Sequence, residues 1–318
     1  MQPVSQDALI VQRLRNLAQG LLLLAGLAVM PGALGWLLAG STGVVWALVL
    51  VVIVAAFAGT MPARVVLARS GAIPLARPQA AGLYRIVDEL ARRARLEQSP
   101  SLHLVPSARI NAFAVGTRSA GGVAVTEGLL RSLGGRELIG VLAHEISHLR
   151  NNDTWVMALA AVMSQLTLWL ATVCQLLLIL YLPWIWDGEF RGLWLWLLVL
   201  MVLPTLSTLV QLALSRNREF AADLEAAALT GDPEGLARAL AILERHHGTW
   251  LDSIFLPRGG HLPDLPWLRT HPPTSERIRR LIQTVEAPPE SARRVIRYQW
   301  DGQLPRLRRS QPGGWWSL

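Results

Sequence analysis

Apolar and polar residues divide the chain into four uncharged runs and the mixed segments between them. The first two runs, residues 17–38 and 44–61, are joined by the uncharged link GSTG. Each approaches the ~20 residues that cross about 30 Å of hydrocarbon. Arg13 and Arg15 precede the pair, and Arg64, Arg69 and Arg77 follow it. Because basic flanks stay on the cytoplasmic side, the pattern predicts a helical hairpin with both ends inside. A cleavable signal peptide is the competing reading of the first run, since basic residues before an apolar stretch also mark one. Its removal would leave the basic flank of the second run on the wrong side of the membrane.

From about Ala76 to Asn152 the pattern changes. AAGLYRIVDELARRARL has the period of an amphipathic helix, while SLHLV, NAFAVGT and GVAVTEG are short extended runs between Pro, Gly and Ser. TEGLLRSLGGRELIGVLAHEISHLRNND then reads as two helices. Two further apolar runs follow, residues 155–182 and 193–214, separated by the tryptophan-rich PWIWDGEFRG with Trp194 and Trp196 just beyond. One Arg against Asp187 and Glu189 places that loop outside, with the tryptophans as an interfacial belt. A buried hairpin inside a soluble core is the competing reading. Arg216 and Arg218 bring the chain back to the cytoplasmic side. REFAADLEAAALTG and PEGLARALAILERHH are helical, THPPTSERIRRLIQ starts another helix after a Pro break, and the tail from about Glu286 is basic and rich in Pro and Gly. No internal repeat is evident.

Composition agrees with a membrane setting: 52% of the 318 residues are hydrophobic, and mean hydropathy is +0.36. The formal charge of +8 could suggest nucleic acid, but the arginines are scattered and no basic and aromatic stripe marks a strand-binding groove. All 30 basic residues are Arg, which reads as codon bias in a GC-rich, bacterial genome. Cys174, the only cysteine, lies in an apolar run, so disulfides and thiolate metal sites are excluded. Any metal must be held by His and carboxylate.

HEISH, residues 144–148, supplies both. On a helix, residues four apart are offset by only about 40°, so His144 and His148 project from one face and one ion can take both nitrogens. Glu145 beside them can reach a water on that ion, which is the chemistry of an H-E-x-x-H site. A hydrolytic site needs a third protein ligand and one open position. Asp153 would project about 180° from His144 if the helix ran on, away from the ion. Glu219 and Asp223 share a face of a later helix, and one can ligate while the other orients a histidine. Spacing does not say which. His148 lies seven residues before Trp155 and Glu219 five after Leu214, so the ion is expected at or near the cytoplasmic membrane surface.

HEISHLRNND, VAVTEGLLRSL before it, SRNREFAADLEAAALTGD after the second apolar pair, and THPPTSERIRRL near the end together resemble the HtpX-like membrane zinc metallopeptidases. The resemblance runs in order over about Leu75 to Gln283. It implies one Zn²⁺ per chain on His144, His148 and Glu219, Glu145 as general base, and Asp223 in support. It implies a gluzincin-type, zincin-like catalytic domain facing the cytoplasm of a bacterial inner membrane, cleaving membrane or misfolded proteins as quality control. Asn111, Phe113 and Val115 match the family's strand beside the zinc helix, which could pair with an extended substrate or be an ordinary core strand. His271 and Arg277 match its His-Pro segment. They could stabilise an oxyanion, His271 could instead occupy the open metal position, or the segment could be a plain helix start.

The expected fold is therefore mostly α with a small β-sheet, an α+β catalytic domain attached to about four transmembrane helices. Residues 1–16 form a cytoplasmic segment, 17–61 a transmembrane hairpin, and 62–154 the first catalytic part with HEISH. Residues 155–214 form a second apolar hairpin, 215–285 the second catalytic part with the third ligand, and 286–318 a basic tail. Expected partners are protein or peptide substrates and a lipid bilayer, with no nucleic acid; the sequence does not define the oligomeric state. A prenyl (CAAX) protease, which usually has more spans, and a non-catalytic scaffold stabilised by zinc are the alternatives. A structural site would have no need of Glu145.

Overall fold

The computed structural model describes residues 6–57, 63–185, 193–247 and 273–284. Helix α1 (Gln6–Phe57) is regular except at Ala39 (φ −147°, ψ 27°) and Gly40 (φ 57°, ψ −140°), where it bends sharply. The arms fold back on each other: a Cβ on Gly35 or Gly43 would fall onto the other's carbonyl, and Leu27 and Val51 join one buried cluster. Two glycines are needed there because the backbones touch. Residues 6–57 thus form a helical hairpin that turns at Ala39 and Gly40, while residues 58–62, the end of the hairpin expected over 17–61, lie outside the described residues.

Two more long helices pack against it: α6 (Asp153–Ile185) and α7 (Leu193–Thr230), the numbering following the chain. Among the described residues, three helices are long and apolar enough to cross a membrane: Ala18–Ile53, Asp153–Leu180 and Leu198–Thr230. Bulky apolar side chains such as Leu22, Trp46, Trp169 and Met201 remain exposed on them, a surface that only lipid or another apolar partner would cover. Polar contacts join α6 to α7 inside this layer. Ser207 Oγ lies 3.0 Å from Ser164 Oγ, and Gln175 donates to the Leu200 carbonyl at 3.3 Å. The loop around Asp187 lies outside the described residues.

The remaining elements form an α+β unit. Helix α2 (Ala63–Arg69) leads into a four-stranded sheet of β1 (Ile73–Pro74), β2 (Ser101–Val105), β3 (Ala112–Gly116) and β4 (Gly121–Thr126), in the order β1-β2-β4-β3. Only the β2–β4 pairing is parallel. Strand alternation sends Leu102, Leu104, Val123 and Val125 into the main core and Val115 and Ala124 to the opposite face, against Leu67 of α2. The main core is covered by α3 (Ala81–Arg93), α4 (Glu127–Ser132), α5 (Gly135–Arg150), the end of α7, α8 (Pro233–His247) and α9 (Thr274–Thr284). Thr126 caps α4 by accepting from the Leu129 N–H. α2 and β1 were not legible as elements from their short runs. Helix α7 carries its apolar run unbroken past residue 214 into REFAAD.

Asp232 fixes the turn from α7 to α8. Its Oδ1 accepts from the Gly235 N–H at 3.1 Å, ahead of Pro233 in the first turn, and both oxygens accept from Arg136 of α5 at 2.7 Å. The Arg136 hydrogen bond holds the Asp232 carboxyl below its usual range against the opposing effect of burial. Asp232→Ala should cost about 1 kcal/mol through the lost cap, with little more from the pair because Arg136 is half exposed. A carboxyl with a lowered folded pKa contributes stability above its unfolded value near 3.8, and that contribution is lost as pH falls through the folded value. The wild-type advantage in melting temperature over the variant should accordingly be full at neutral pH and shrink as the pH falls through the lowered folded-state value.

Candidate metal centre

Helix α5 packs Leu138, Leu142, Ile146 and Leu149 into the main core, which leaves His144 and His148 turned towards α7. Their Nε2 atoms stand 3.1 Å apart, and the rings are nearly perpendicular. Glu219 of α7 brings Oε2 to 3.4 Å from His144 Nε2 and Oε1 to 3.8 Å from His148 Nε2. One atom from each of the three residues lies within 4.8 Å of the others. Bonds of about 2.0–2.2 Å in a tetrahedron put ligand atoms roughly 3.4 Å apart, so the three atoms fit one Zn²⁺ and leave the fourth direction to water. Spacing left Glu219 and Asp223 interchangeable, and the family resemblance implied Glu219 as the ligand with Asp223 in support. In the fold Glu219 faces both Nε2 atoms, and Asp223 faces the back of His144.

Each imidazole is held from behind by a carboxylate, and each carboxylate by an arginine. Asp223 Oδ1 lies 3.0 Å from His144 Nδ1 and is gripped through both oxygens by Arg277 of α9, at 2.7 and 2.6 Å. Asp153 Oδ2 lies 2.7 Å from His148 Nδ1, and its Oδ1 lies 2.5 Å from Arg218 Nη2. Such partners fix the tautomer in which Nδ1 carries the proton and Nε2 keeps its lone pair for a metal. Asp153 corrects the sequence reading, which turned it away from the site. The helix does not run on: Asn152 takes φ 53°, α5 ends, and α6 restarts in a direction that returns Asp153 to His148.

The local charge suits a divalent cation. Four carboxylates, on Glu145, Asp153, Glu219 and Asp223, stand around the two imidazoles against the two guanidinium groups of Arg218 and Arg277. Burial disfavours a charge on His144, yet hydrogen bonding and attraction from Asp223 and Glu219 outweigh it and raise its pKa to about 10. The protein therefore builds a positive-seeking pocket around two nitrogens.

Glu145 is half-buried beside these atoms. Loss of hydration holds its carboxyl above the usual range, which is where a proton acceptor working near neutral pH belongs. The Ala114 backbone of β3, an edge strand, lies near enough to oppose that rise. The Thr126 N–H bonds to the Asn111 carbonyl and the Thr117 N–H to the Ala120 carbonyl, so the odd residues of this strand pair with β4. The backbone groups of Ala112, Ala114 and Gly116 consequently point off the edge. Phe113 and Val115 turn their side chains to the α2 face instead. The sequence reading named Asn111, Phe113 and Val115 on this strand; which backbone groups face outward follows only from the β4 register.

Arg277 is buried, and besides Asp223 its Nη1 reaches Glu219 Oε2 at 3.2 Å. His271 lies outside the described residues, as does the C-terminal tail.

Two histidines and a glutamate placed where they could hold one metal ion, an adjacent carboxylate and an unpaired strand edge are the arrangement of a metal-dependent peptidase. Residues 78–285 match the description of Peptidase family M48, and the chain belongs to that family. Among similar curated proteins, the "Protease HtpX homolog" of Acaryochloris marina is 40% identical over 224 residues, 66% of this chain and 74% of that protein. Those of Aquifex aeolicus and Syntrophobacter fumaroxidans are 36% and 37% identical, covering 79% and 81% of this chain and 87% and 96% of theirs. The crystal structure of S. mikatae Ste24p aligns with a TM-score of 0.47 at 18% identity, over 86% of this chain and 66% of that one, too remote a likeness to carry an argument. The protein is a membrane metallopeptidase. Its substrates are polypeptides, and its long apolar helices set it in a lipid bilayer.

Proposed function

We propose that the protein is a zinc endopeptidase of the bacterial inner membrane, with its catalytic unit on the cytoplasmic side, cleaving membrane or misfolded proteins in quality control. The observation that carries this reading is the convergence of His144, His148 and Glu219 directly beside Glu145 and the edge of β3. Arg64 and Arg69 after the first hairpin and Arg216 and Arg218 after α7's apolar run support the orientation.

The residues divide the work as follows. His144, His148 and Glu219 hold the ion, with Asp223 and Asp153 fixing the two rings. Bound Zn²⁺ would polarise the scissile carbonyl and lower the pKa of a water towards about 7. The Glu145 carboxylate would accept a proton from the attacking water and return it to the departing amine. The outward backbone groups of β3 align an extended substrate by strand pairing, which selects unfolded segments over compact ones. Arg277, committed to Asp223 and Glu219, is a positioning residue and not an oxyanion donor.

The full chain reconstituted in liposomes should cleave a destabilised membrane protein and an unfolded soluble chain. A chelator should stop cleavage, and one equivalent of zinc, but not magnesium, should restore it. Cleavage that persists after complete metal removal would overturn the reading.

A further inference from the structure

The sequence motifs leave Asp153 and Arg218 without a role, yet both sit where the catalytic unit meets the membrane helices. Asp153 is the first residue of α6 and is buried. Arg218 lies on α7 immediately before the ligand Glu219, with its side chain mostly buried. A single nitrogen, Arg218 Nη2, makes two contacts across the elbow between α5 and α6. It lies 2.5 Å from Asp153 Oδ1 and donates to the Asn151 carbonyl at 3.2 Å. The elbow is tied to α7 again about two turns further on, where Glu225 accepts from Asn151 Nδ2 at 2.7 Å and pairs with Arg150.

We propose that Arg218 and Asp153 are positioning residues that lock the His148 ring to the register of α7, so that the packing of the membrane helices sets metal affinity. The geometry gives the reason. Asp153 Oδ2 holds His148 Nδ1, and its other oxygen is held by the residue adjacent to Glu219. Two of the three ligands are therefore set by neighbouring residues of one helix: Glu219 ligates directly, while Arg218 acts through Asp153 on His148. A slide of α7 against α6 moves Glu219 and, through Arg218, turns the His148 ring. His144 has its own support in Asp223 and Arg277, which does not use α6. An ordinary surface ion pair would contribute little. This one is shielded, joins three helices at a left-handed break, and ends on a ligand.

This inference rests on the zinc reading, and the test separates the two. Zinc affinity of the full chain in detergent is measured by competition with a metal chelator of known affinity, alongside kcat and KM. Wild type should bind one zinc and Glu219→Ala should lose it. Arg218→Met and Asp153→Ala should each weaken binding by about 10–100-fold. Their double variant should be no weaker than Asp153→Ala alone, because both act through one contact. Arg218→Lys should recover part of the loss, and kcat at saturating zinc should fall more than KM changes. If Asp153→Ala does not accumulate as folded protein, Asp153→Asn takes its place in the cycle. Wild-type affinity in folded Arg218→Met, or additive losses in the double variant, would overturn the positioning role while leaving the zinc site standing. A wild type that binds no zinc would overturn both.

Discussion

Glu145→Gln should lower kcat by about 10²–10⁴-fold, the usual contribution of a general base, while zinc content and melting temperature stay at wild-type values. The amide keeps the size of the side chain and can still meet the Ala114 backbone, but it cannot accept and return a proton. Glu145 is not among the three groups that converge on the ion position, so the substitution removes chemistry and spares the site. Zinc analysis and peptide cleavage on the same preparation check this. A variant that cleaves at wild-type rate, or that loses its zinc, would show that the base has been assigned to the wrong residue.

Arg277→Met carries the second large expectation, and it concerns stability. Arg277, Asp223 and Glu219 are all buried, and the guanidinium serves both carboxylates. Removing the cation leaves two buried anions without their shared partner, a loss of about 3–5 kcal/mol for a broken buried pair. Bound zinc offers Glu219 a replacement charge, so the drop in melting temperature should be greater in chelated protein than in zinc-loaded protein. Arg277→Lys should rescue poorly, because one ammonium cannot make the two-pronged contact seen with Asp223. An equal drop with and without zinc would separate Arg277 from the metal site.

The sequence exposed the parts of this molecule whose chemistry is local. HEISH on an apolar-periodic helix, the four uncharged runs and the strands of SLHLV and GVAVT all follow from spacing that a few neighbouring residues determine. Asp153 escaped because its direction depends on one backbone residue. The Asn151–Asn152–Asp153 run held the signal, since Asn is the residue other than Gly that most readily ends a helix in the left-handed region, and Asp favours the start of the next. Arg218 escaped for a different reason. Its partners Asn151 and Asp153 lie more than sixty residues away, and a basic residue after an apolar run already has a sufficient topological explanation in the membrane. Spacing alone did not separate Glu219 from Asp223, because the distance between two helices is in no local pattern; the family resemblance made that choice.

The central claim is that two imidazoles of α5 and one carboxylate of α7 hold a single ion and leave it one exchangeable position. Crystals of the zinc-loaded full chain, with anomalous differences collected on either side of the zinc edge, test it directly. The account predicts one peak per chain at about 2.0–2.2 Å from His144 Nε2, His148 Nε2 and a Glu219 oxygen, with no fourth protein ligand. A peak elsewhere, or one enclosed by four protein ligands, would contradict it.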